Sequence, residues 1–204
     1  MSGSLVVVSG PSGSGKSSLC RVICESFDYA YLSVSTTTRA PRSGEAEGLD
    51  YFFVTREAFE AAIKEGEFLE WAEVHGNYYG TSRKRVEEAL KAGKTILFDI
   101  DVQGQASVKA LFPKECTSVF VTTPTLSILK ERLQGRGTDS DAVIEQRLVN
   151  ALDEMRHIDR YDYLIINDRF EESLDALKSV VVASRYKEGR VSLPDFISAW
   201  KGQF

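Results

Sequence analysis

Apolar runs and amphipathic segments alternate along the chain, which predicts strands and helices in regular succession. The apolar runs Leu5–Val8 and Thr95–Phe98 are short and end at polar residues, as buried strands do. Between Ser17 and Phe27 the apolar residues recur at helical spacing, so this segment predicts a helix directly after the first strand. Such alternation favours an α/β fold with a mainly parallel sheet, helices on both faces and right-handed crossovers.

The same patterns place the remaining elements. We predict strands at Tyr31–Thr38, Asp50–Val54, Phe68–Val74, Tyr78–Ser82, Thr117–Thr122 and Tyr163–Ile166. We predict helices at Arg56–Lys64, Lys84–Lys91, Val102–Leu111, Leu126–Leu133, Asp141–His157 and Phe170–Tyr186. The strands between residues 33 and 83 interrupt the α/β alternation, and short insertions of this kind usually carry a binding function.

These boundaries predict a single domain with three parts. The core comprises residues 1–32, 84–134 and 159–204, a β-rich lobe is inserted at about 33–83, and a helical lid spans about 135–158. The aromatic residues after Asp168, including Trp200 and Phe204, are expected to serve as packing or as a tail.

Composition and charge narrow the function classes. With 204 residues, of which 43% are hydrophobic, the chain can bury one substantial core. Its net charge of -5 argues against a general nucleic-acid binder, since such proteins present a basic face. The first apolar run ends at Ser9, too early for a signal peptide or a membrane span, so we expect a cytoplasmic protein without membrane association. The sequence leaves open whether the protein is a monomer or a homodimer.

A complete phosphate-loop motif, G-x-x-x-x-G-K-S, lies at Gly10–Ser17 directly after the first strand. A strand that stops at glycines and restarts as a helix aims several backbone N–H groups at one point, where a polyphosphate binds. We expect Lys16 to reach the β- and γ-phosphates of a nucleoside triphosphate and Ser17 to coordinate Mg²⁺. The alternative, a Gly/Ser-rich turn without a ligand, does not explain why the motif is complete. The predicted triphosphate-binding residues are Gly10, Pro11, Ser12, Gly13, Ser14, Gly15, Lys16, Ser17 and Ser18.

Two carboxylates follow the strand Thr95–Phe98, at the edge of the sheet where ligands of parallel sheets bind. Asp99 or Asp101 is expected to orient Mg²⁺ through a coordinated water, as acidic residues do in phosphate-loop proteins. The alternative for Asp101 is a helix cap, because a helix begins directly after it.

Three arginines lie around a glycine-rich break between two predicted helices. Arg132 and Arg136 are four residues apart, and Arg147 lies on the following helix. Closure of this segment would bring the guanidinium groups over the phosphates, where they would neutralise the charge that develops during phosphoryl transfer. The alternative is that arginines at helix ends only complement the helix dipole, which is adequate for Arg132 and weaker for Arg136.

The inserted lobe carries a second set of groups that suit a phosphate. Arg39 and Arg42 flank a proline-stiffened turn, and Tyr51 and Tyr79 lie in neighbouring strands. Two guanidinium forks and two phenols match a monophosphate dianion, although scattered surface arginines and core tyrosines are the alternative. A second nucleotide site beside the phosphate loop implies transfer of a phosphoryl group between two nucleotides.

Taken in order, the motifs of the chain closely resemble those of guanylate kinases from Leu5 to about Asp168. The matching segments are GPSGSGKS at Gly10–Ser17, STTTRAPRSGE at Ser35–Glu45, GLDYFF at Gly48–Phe53, EFLEWA at Glu67–Ala72, GNYYGT at Gly76–Thr81, DIDVQG at Asp99–Gly104 and ERLQGRG at Glu131–Gly137. The resemblance implies Mg²⁺-dependent, direct in-line transfer from ATP to GMP, giving ADP and GDP in purine nucleotide metabolism and GMP recycling.

The resemblance also implies a role for individual residues. The implied ligands of the GMP phosphate are Arg39, Arg42, Tyr51 and Tyr79; those of the guanine are Ser35, Glu70, Thr81 and Asp99, with Gly80 beside them; and the groups that stabilise the transferring phosphoryl are Lys16, Arg132, Arg136 and Arg147, with Asn167 beside the lid. Guanine presents N1–H and an exocyclic amine side by side, and the Glu70 carboxylate can accept from both. Adenine lacks the N1 donor and would leave Glu70 unpaired, which disfavours its binding.

Two other functions compete with this interpretation. A kinase for another nucleoside monophosphate would share the phosphate loop and lid but would not need Glu70 and Thr81 at these positions. A non-catalytic scaffold module resembling guanylate kinase typically lacks an intact phosphate loop, whereas Lys16 and Ser17 are both present here.

Overall fold

The computed structural model describes residues 3–42, 44–74, 76–135, 137, 139–187 and 192–202. Its strands are β1 Ser4–Ser9, β2 Ala30–Leu32, β3 Thr36–Thr37, β4 Phe52–Phe53, β5 Phe68–Val74, β6 Asn77–Ser82, β7 Thr95–Asp99, β8 Cys116–Thr122 and β9 Tyr163–Ile166. Its helices are α1 Lys16–Ser26, α2 Arg56–Lys64, α3 Arg83–Lys91, α4 Val102–Leu111, α5 Leu126–Gly135, α6 Asp141–Met155, α7 Phe170–Ser184 and α8 Leu193–Lys201, with a short 3₁₀ turn at Ile158–Arg160.

A five-stranded parallel sheet in the order β2-β7-β1-β8-β9 carries the core. Side chains of a strand alternate between the two faces, and both faces of β1 are covered. Val6 and Val8 pack with residues of α1 and α7 on one face, while Leu5 and Val7 pack with residues of α3 and α4 on the other. Burying each of these side chains contributes about 1.5–3 kcal/mol, which is why β1 can end abruptly and still hold a loop in place.

The segment between Thr36 and Ser82 forms a second, four-stranded sheet in the order β4-β3-β6-β5. Strand β6 runs antiparallel to both β3 and β5. Helix α2 begins after Thr55, whose hydroxyl accepts a hydrogen bond from the Ala58 N–H at 3.2 Å. Its fully buried Phe59 stacks on Phe68 at 4.3 Å and on Tyr78 at 5.2 Å between ring centroids, which holds the helix against this sheet.

The predicted strand Tyr31–Thr38 is wrong as a single element. The chain pairs with β7 as β2, and the Ser33 N–H still donates to the Leu97 carbonyl at 2.8 Å before the chain leaves this sheet. It pairs again at Thr36, which lies opposite Gly80 in the second sheet. The alternating pattern runs through both strands, so only the choice of pairing partner reveals the break.

Helices α5 and α6 pack on each other around a small apolar cluster of their own. Leu129 and Leu133 of α5 contact Ile144 and Leu148 of α6, together with Ala151. This cluster is separate from the two core clusters, so the two helices pack together around apolar side chains of their own. The predicted Asp141–His157 helix ends two residues early, at Met155.

Helix α8, which was not predicted from the sequence, follows the Ser192 cap and carries Pro194 in its first turn. Its apolar side chains do not pack into the core, since Phe196 is 57% and Trp200 62% exposed. Of the two roles expected for Trp200, packing or a tail, its exposure fits the tail, and Phe204 lies outside the described residues. Across the described residues, the helices are too short or too polar to span a membrane.

Candidate active site

The loop between β1 and α1 is shaped by glycines in conformations that other residues rarely adopt. Gly10, Gly13 and Gly15 have φ angles of 134°, 96° and 97°. A Cβ on Gly10 would lie 2.1 Å from the carbonyl oxygen of Val121, so a larger residue cannot fit there. The Lys16 ammonium donates to the Pro11 carbonyl at 3.1 Å, which folds its side chain back over the loop. The loop is therefore a concave cradle of backbone groups with one cation above it.

Ser17 and Asp99 meet at the mouth of this loop. The Ser17 hydroxyl donates to Oδ2 of Asp99, because parallel pairing of β1 with β7 sets Val8 beside Asp99. Asp101 instead caps α4, where its Oδ1 accepts from the Gln103 N–H at 3.1 Å and the Gly104 N–H at 2.8 Å. The structure thus gives Asp101 the capping role that the sequence left open, and Asp99 the position next to Ser17.

These oxygens suit Mg²⁺ that arrives with a nucleotide. Mg²⁺ prefers hard oxygen ligands, keeps several waters and usually takes only one or two protein ligands beside the phosphates. Ser17 and Asp99 offer one hydroxyl and one carboxylate at the phosphate loop. Within the described parts of the chain, no group of three or more His, Cys, Asp or Glu side chains could hold a metal by itself. The donor set therefore fits a magnesium ion shared with substrate phosphates.

Glu70 and Thr81 lie opposite each other on β5 and β6. The Thr81 hydroxyl is fully buried and donates to Oε1 of Glu70 at 2.5 Å. Burial raises the pKa of Glu70, the hydrogen bond from Thr81 opposes this shift, and the charge of Asp101 adds to it. The pair presents a partly desolvated acceptor to the cleft, as recognition of an N–H edge requires.

Arg39 is held in a cage of polar and aromatic groups. Its Nη2 contacts the two carboxylate oxygens of Glu45 at 2.7 and 2.9 Å, and its guanidinium lies 5.3 Å from the Tyr51 ring centroid. Tyr79 lies edge-on to Tyr51 at 5.9 Å. The hydrogen bond with Glu45 raises the pKa of Arg39, and the same bond lowers the pKa of Glu45. Three of the four predicted phosphate ligands, Arg39, Tyr51 and Tyr79, therefore meet.

The fourth predicted ligand, Arg42, is exposed, and its contact to this cage is its backbone N–H, which donates to Glu45 at 2.8 Å. Glu45 thus organises both arginine positions, although the sequence analysis gave it no role. The sequence did contain a signal for this role, because an acidic side chain three residues after Arg42 can accept a hydrogen bond from the N–H of the turn.

The lid arginines have different partners in this structure. Arg147 of α6 reaches across to the phosphate loop, where it donates to the Ser12 hydroxyl at 2.9 Å, and it also pairs with Asp139 at 3.3 Å. Arg132 of α5 donates to the backbone carbonyls of Asn167 and Asp168, at 2.9 and 3.3 Å. Arg136 lies outside the described residues. The structure therefore places one lid arginine on the loop and one beside it.

Glu154 is a cleft residue that the sequence analysis missed. It lies on α6, two helical turns after Arg147 and on the same face, so the spacing of seven was the available signal. Burial raises its pKa, the positive charge of Lys16 opposes this shift, and the negative charge of Asp101 adds to it. Its Oε2 is buried and finds no hydrogen-bond partner among the residues that the structure describes.

One cleft of about 400 Å³ joins the phosphate loop to the second sheet. The predicted site residues that line it are Gly10, Ser12, Gly13, Gly15, Lys16, Ser17, Ser18, Ser35, Tyr51, Glu70, Tyr79, Gly80, Asp99 and Asp101. Pro11 and Ser14 lie behind the loop surface, where the Pro11 carbonyl also accepts from the Ser14 N–H at 3.1 Å. The two sets of groups that the sequence assigned to two nucleotides thus open on the same space.

Known proteins are similar to this chain in sequence and in fold. The family model for guanylate kinase matches residues 2–184. Guanylate kinase of Wolinella succinogenes is 49% identical over 201 residues, covering 98% of this chain and 94% of the relative. Guanylate kinase of Helicobacter pylori is 47% identical over 199 residues, covering 98% and 96%. The crystal structure of guanylate kinase from Anaplasma phagocytophilum has a TM-score of 0.79 at 34% identity, covering 96% of this chain and 94% of that chain. The chain therefore belongs to the guanylate kinase family.

Proposed function

We propose that this chain transfers the γ-phosphoryl group of ATP directly to a phosphate oxygen of GMP, releasing ADP and GDP. The observation that carries the proposal is the shared cleft, in which Lys16 and Ser17 of the phosphate loop and Glu70 of the second sheet line one volume of about 400 Å³. Family membership supports the same reaction. Two nucleotides bound in one cleft can react without a covalent enzyme intermediate.

On the acceptor side, the base and the phosphate are recognised separately. Glu70 accepts from N1–H and the exocyclic amine of guanine, while Thr81 holds the carboxylate by its hydroxyl and Ser35 lines the same wall. Arg39, Tyr51 and Tyr79 receive the phosphate, with Arg42 added from the exposed turn. Adenine would leave the half-buried Glu70 without its N1 donor, which costs about 1–3 kcal/mol for an unpaired buried group.

On the donor side, backbone N–H groups of Gly10–Ser17 and the Lys16 ammonium bind the triphosphate. Ser17 and Asp99 would hold Mg²⁺, which neutralises charge on the β- and γ-phosphates when it is bound. The acceptor is a phosphate oxygen that is already ionised at neutral pH, so the cleft needs no strong general base.

Positioning then accounts for most of the rate. The γ-phosphoryl group develops charge on its equatorial oxygens, and Lys16 and Arg147 lie on the loop side of the cleft to neutralise it. We propose that residues 135–158 act as a lid, with Arg132 and Arg136 joining them on closure. A closed lid excludes water, which protects ATP from hydrolysis when GMP is bound.

The experiment is a coupled assay of ADP release with ATP, Mg²⁺ and each of GMP, AMP, UMP and dTMP. We expect GMP to be the preferred acceptor and excess EDTA to stop the reaction. Lys16→Ala should lower kcat by about 10²–10³-fold, the usual effect of losing one transition-state donor. Lys114→Ala, which changes an exposed lysine, is the control. Absence of ADP release with GMP, or an equal rate with AMP, would refute the proposed function.

A further inference from the structure

We infer that Asn167 is a positioning residue that orients the peptide between Ser14 and Gly15 for binding of the donor phosphates. Its side-chain Nδ2 donates to the Ser14 carbonyl at 2.7 Å, and the residue is only 3% exposed. The inference rests on the proposed function, because it assigns the loop to the phosphates of ATP.

The geometry of a trans peptide makes this contact consequential. In a trans peptide the carbonyl and the following N–H point in opposite directions. Because the Ser14 carbonyl is held on the Asn167 side, the Gly15 N–H points away from Asn167. Gly15 lines the cleft, so this orientation would offer its N–H to the phosphates that we propose bind there. Asn167 therefore selects one orientation of a phosphate-binding dipole.

Asn167 is held by its backbone as well as by its side chain. Its backbone N–H donates to the Thr122 carbonyl at 2.7 Å, which fixes it at the end of β9 beside β8. A Cβ on Gly15 would lie 2.3 Å from Nδ2, so the contact also requires glycine at that position. The loop and Asn167 are fitted to each other with no room for an intervening water.

The same residue also touches the lid. Arg132 donates to the Asn167 carbonyl at 2.9 Å. One residue therefore links the phosphate loop, through its side chain, to a lid arginine, through its backbone. Only the side-chain link can be removed by substitution, which makes the two roles separable.

The test compares Asn167→Asp and Asn167→Ala with Asn150→Asp. The aspartate replaces the Nδ2 donor by an acceptor that opposes the Ser14 carbonyl, and the alanine removes the donor without adding charge. Asn150 lies on α6 and pairs with Gln146, so its variant controls for the added charge. Steady-state KM values are measured separately for ATP and GMP, and the ATP-induced shift in Tm is measured without GMP.

We expect KM for ATP to rise about fivefold in Asn167→Ala and more than about tenfold in Asn167→Asp, as loss of one buried hydrogen bond would give. KM for GMP should change by less than about twofold, because the acceptor groups lie on the other sheet. Relative to wild type, KM for ATP in Asn167→Asp should recover as the pH falls, since a protonated carboxyl can donate to Ser14 again.

Several outcomes would overturn the inference. An unchanged KM for ATP in Asn167→Ala would mean that the aspartate acts only by its charge. An equal rise in both KM values, or failure of both variants to fold, would give Asn167 a purely structural role. The ATP-induced Tm shift separates this inference from the proposed function: it tests the loop even if the wild-type chain releases no ADP with GMP.

Discussion

The hydroxyl of Thr81 donates a hydrogen bond to Oε1 of Glu70, 2.5 Å away, across the paired strands β5 and β6. Thr81 is fully buried, so its hydroxyl has no competing water. The bond occupies one lone pair of the carboxylate and fixes its plane, which leaves the remaining acceptor positions aimed into the cleft. In the proposed function, selectivity for guanine therefore depends on a pair of residues from two strands.

Glu70→Gln should lower kcat/KM for GMP by about 10–10³-fold, because an amide nitrogen then faces the donors of guanine. KM for ATP should stay within about twofold of the wild-type value. Glu73→Gln is the matched control, since Glu73 lies on the same strand but is exposed and pairs with Arg56 on the surface. Wild-type selectivity for GMP over AMP in Glu70→Gln would contradict the assignment.

Arg39→Lys should raise KM for GMP by about tenfold with a smaller change in kcat. Lysine keeps the positive charge. It lacks the planar guanidinium fork, which can contact Glu45 and at the same time donate to a phosphate. Arg56→Lys, on the same lobe and paired with Glu60 on the surface, is the control. The comparison is made with initial rates at saturating ATP, and equal KM values in the two variants would remove Arg39 from the phosphate site.

Glu154→Gln should stabilise the free protein at pH 8 and leave it unchanged near pH 4. Burial raises the pKa of Glu154 in the folded state above its ordinary value of 4.5, so the folded protein holds this proton more tightly than the unfolded chain. Below the ordinary pKa the carboxyl is protonated in both states, so burial carries no charge cost. The cost appears as the pH rises above the ordinary pKa and is complete above the pKa of the folded state. The isosteric amide removes that cost.

Urea unfolding at a series of pH values measures the effect. The difference in unfolding free energy between Glu154→Gln and wild type should grow with pH and then level off. Glu145→Gln, an exposed position on the same helix that pairs with Lys130, is the control. A difference that shrinks as the pH rises would show that Glu154 is stabilised as a carboxylate instead.

Gly80→Ala should destabilise the fold by about 1–3 kcal/mol, the usual cost of overpacking a rigid site. The new methyl would lie 2.9 Å from ring atoms of both Phe59 and Phe68, which are stacked on each other. Gly135→Ala is the contrasting variant, since its methyl meets nothing within 4 Å and the residue ends α5. That change should stabilise the protein by about 0.5–1 kcal/mol. The midpoints of urea unfolding measure both effects, and an unchanged midpoint in Gly80→Ala would refute the packing argument.

The predicted family, reaction and α/β fold are confirmed by the family match and by similarity to solved and curated guanylate kinases. These features could be predicted from the sequence because their signals are local. The motif Gly10–Ser17 specifies its own turn, and the spacing of apolar residues in each helix marks its buried face. The assignment of residues to substrates and the three-part division of the domain stay predictions.

Local pattern failed where the partner of a segment decides its structure. Tyr31–Thr38 reads as one strand because alternation does not record which sheet each half joins. Helix α8 went unpredicted because its apolar residues cover no core and its segment had no family motif. Glu45 and Glu154 were missed because their spacings, three residues after Arg42 and seven after Arg147, gain meaning only once the neighbouring groups are known.

The sequence by itself predicted a polyphosphate site at Gly10–Ser17 and determined that the chain belongs to the guanylate kinase family, because motif letters specify backbone conformation and donor chemistry over short spans. Only the tertiary structure decided which groups share the cleft. It set Asp99 beside Ser17, gave Asp101 to a helix cap, and fixed the Ser14 carbonyl on Asn167. Contacts between residues far apart in the chain depend on strand order and packing, which no short stretch of sequence records.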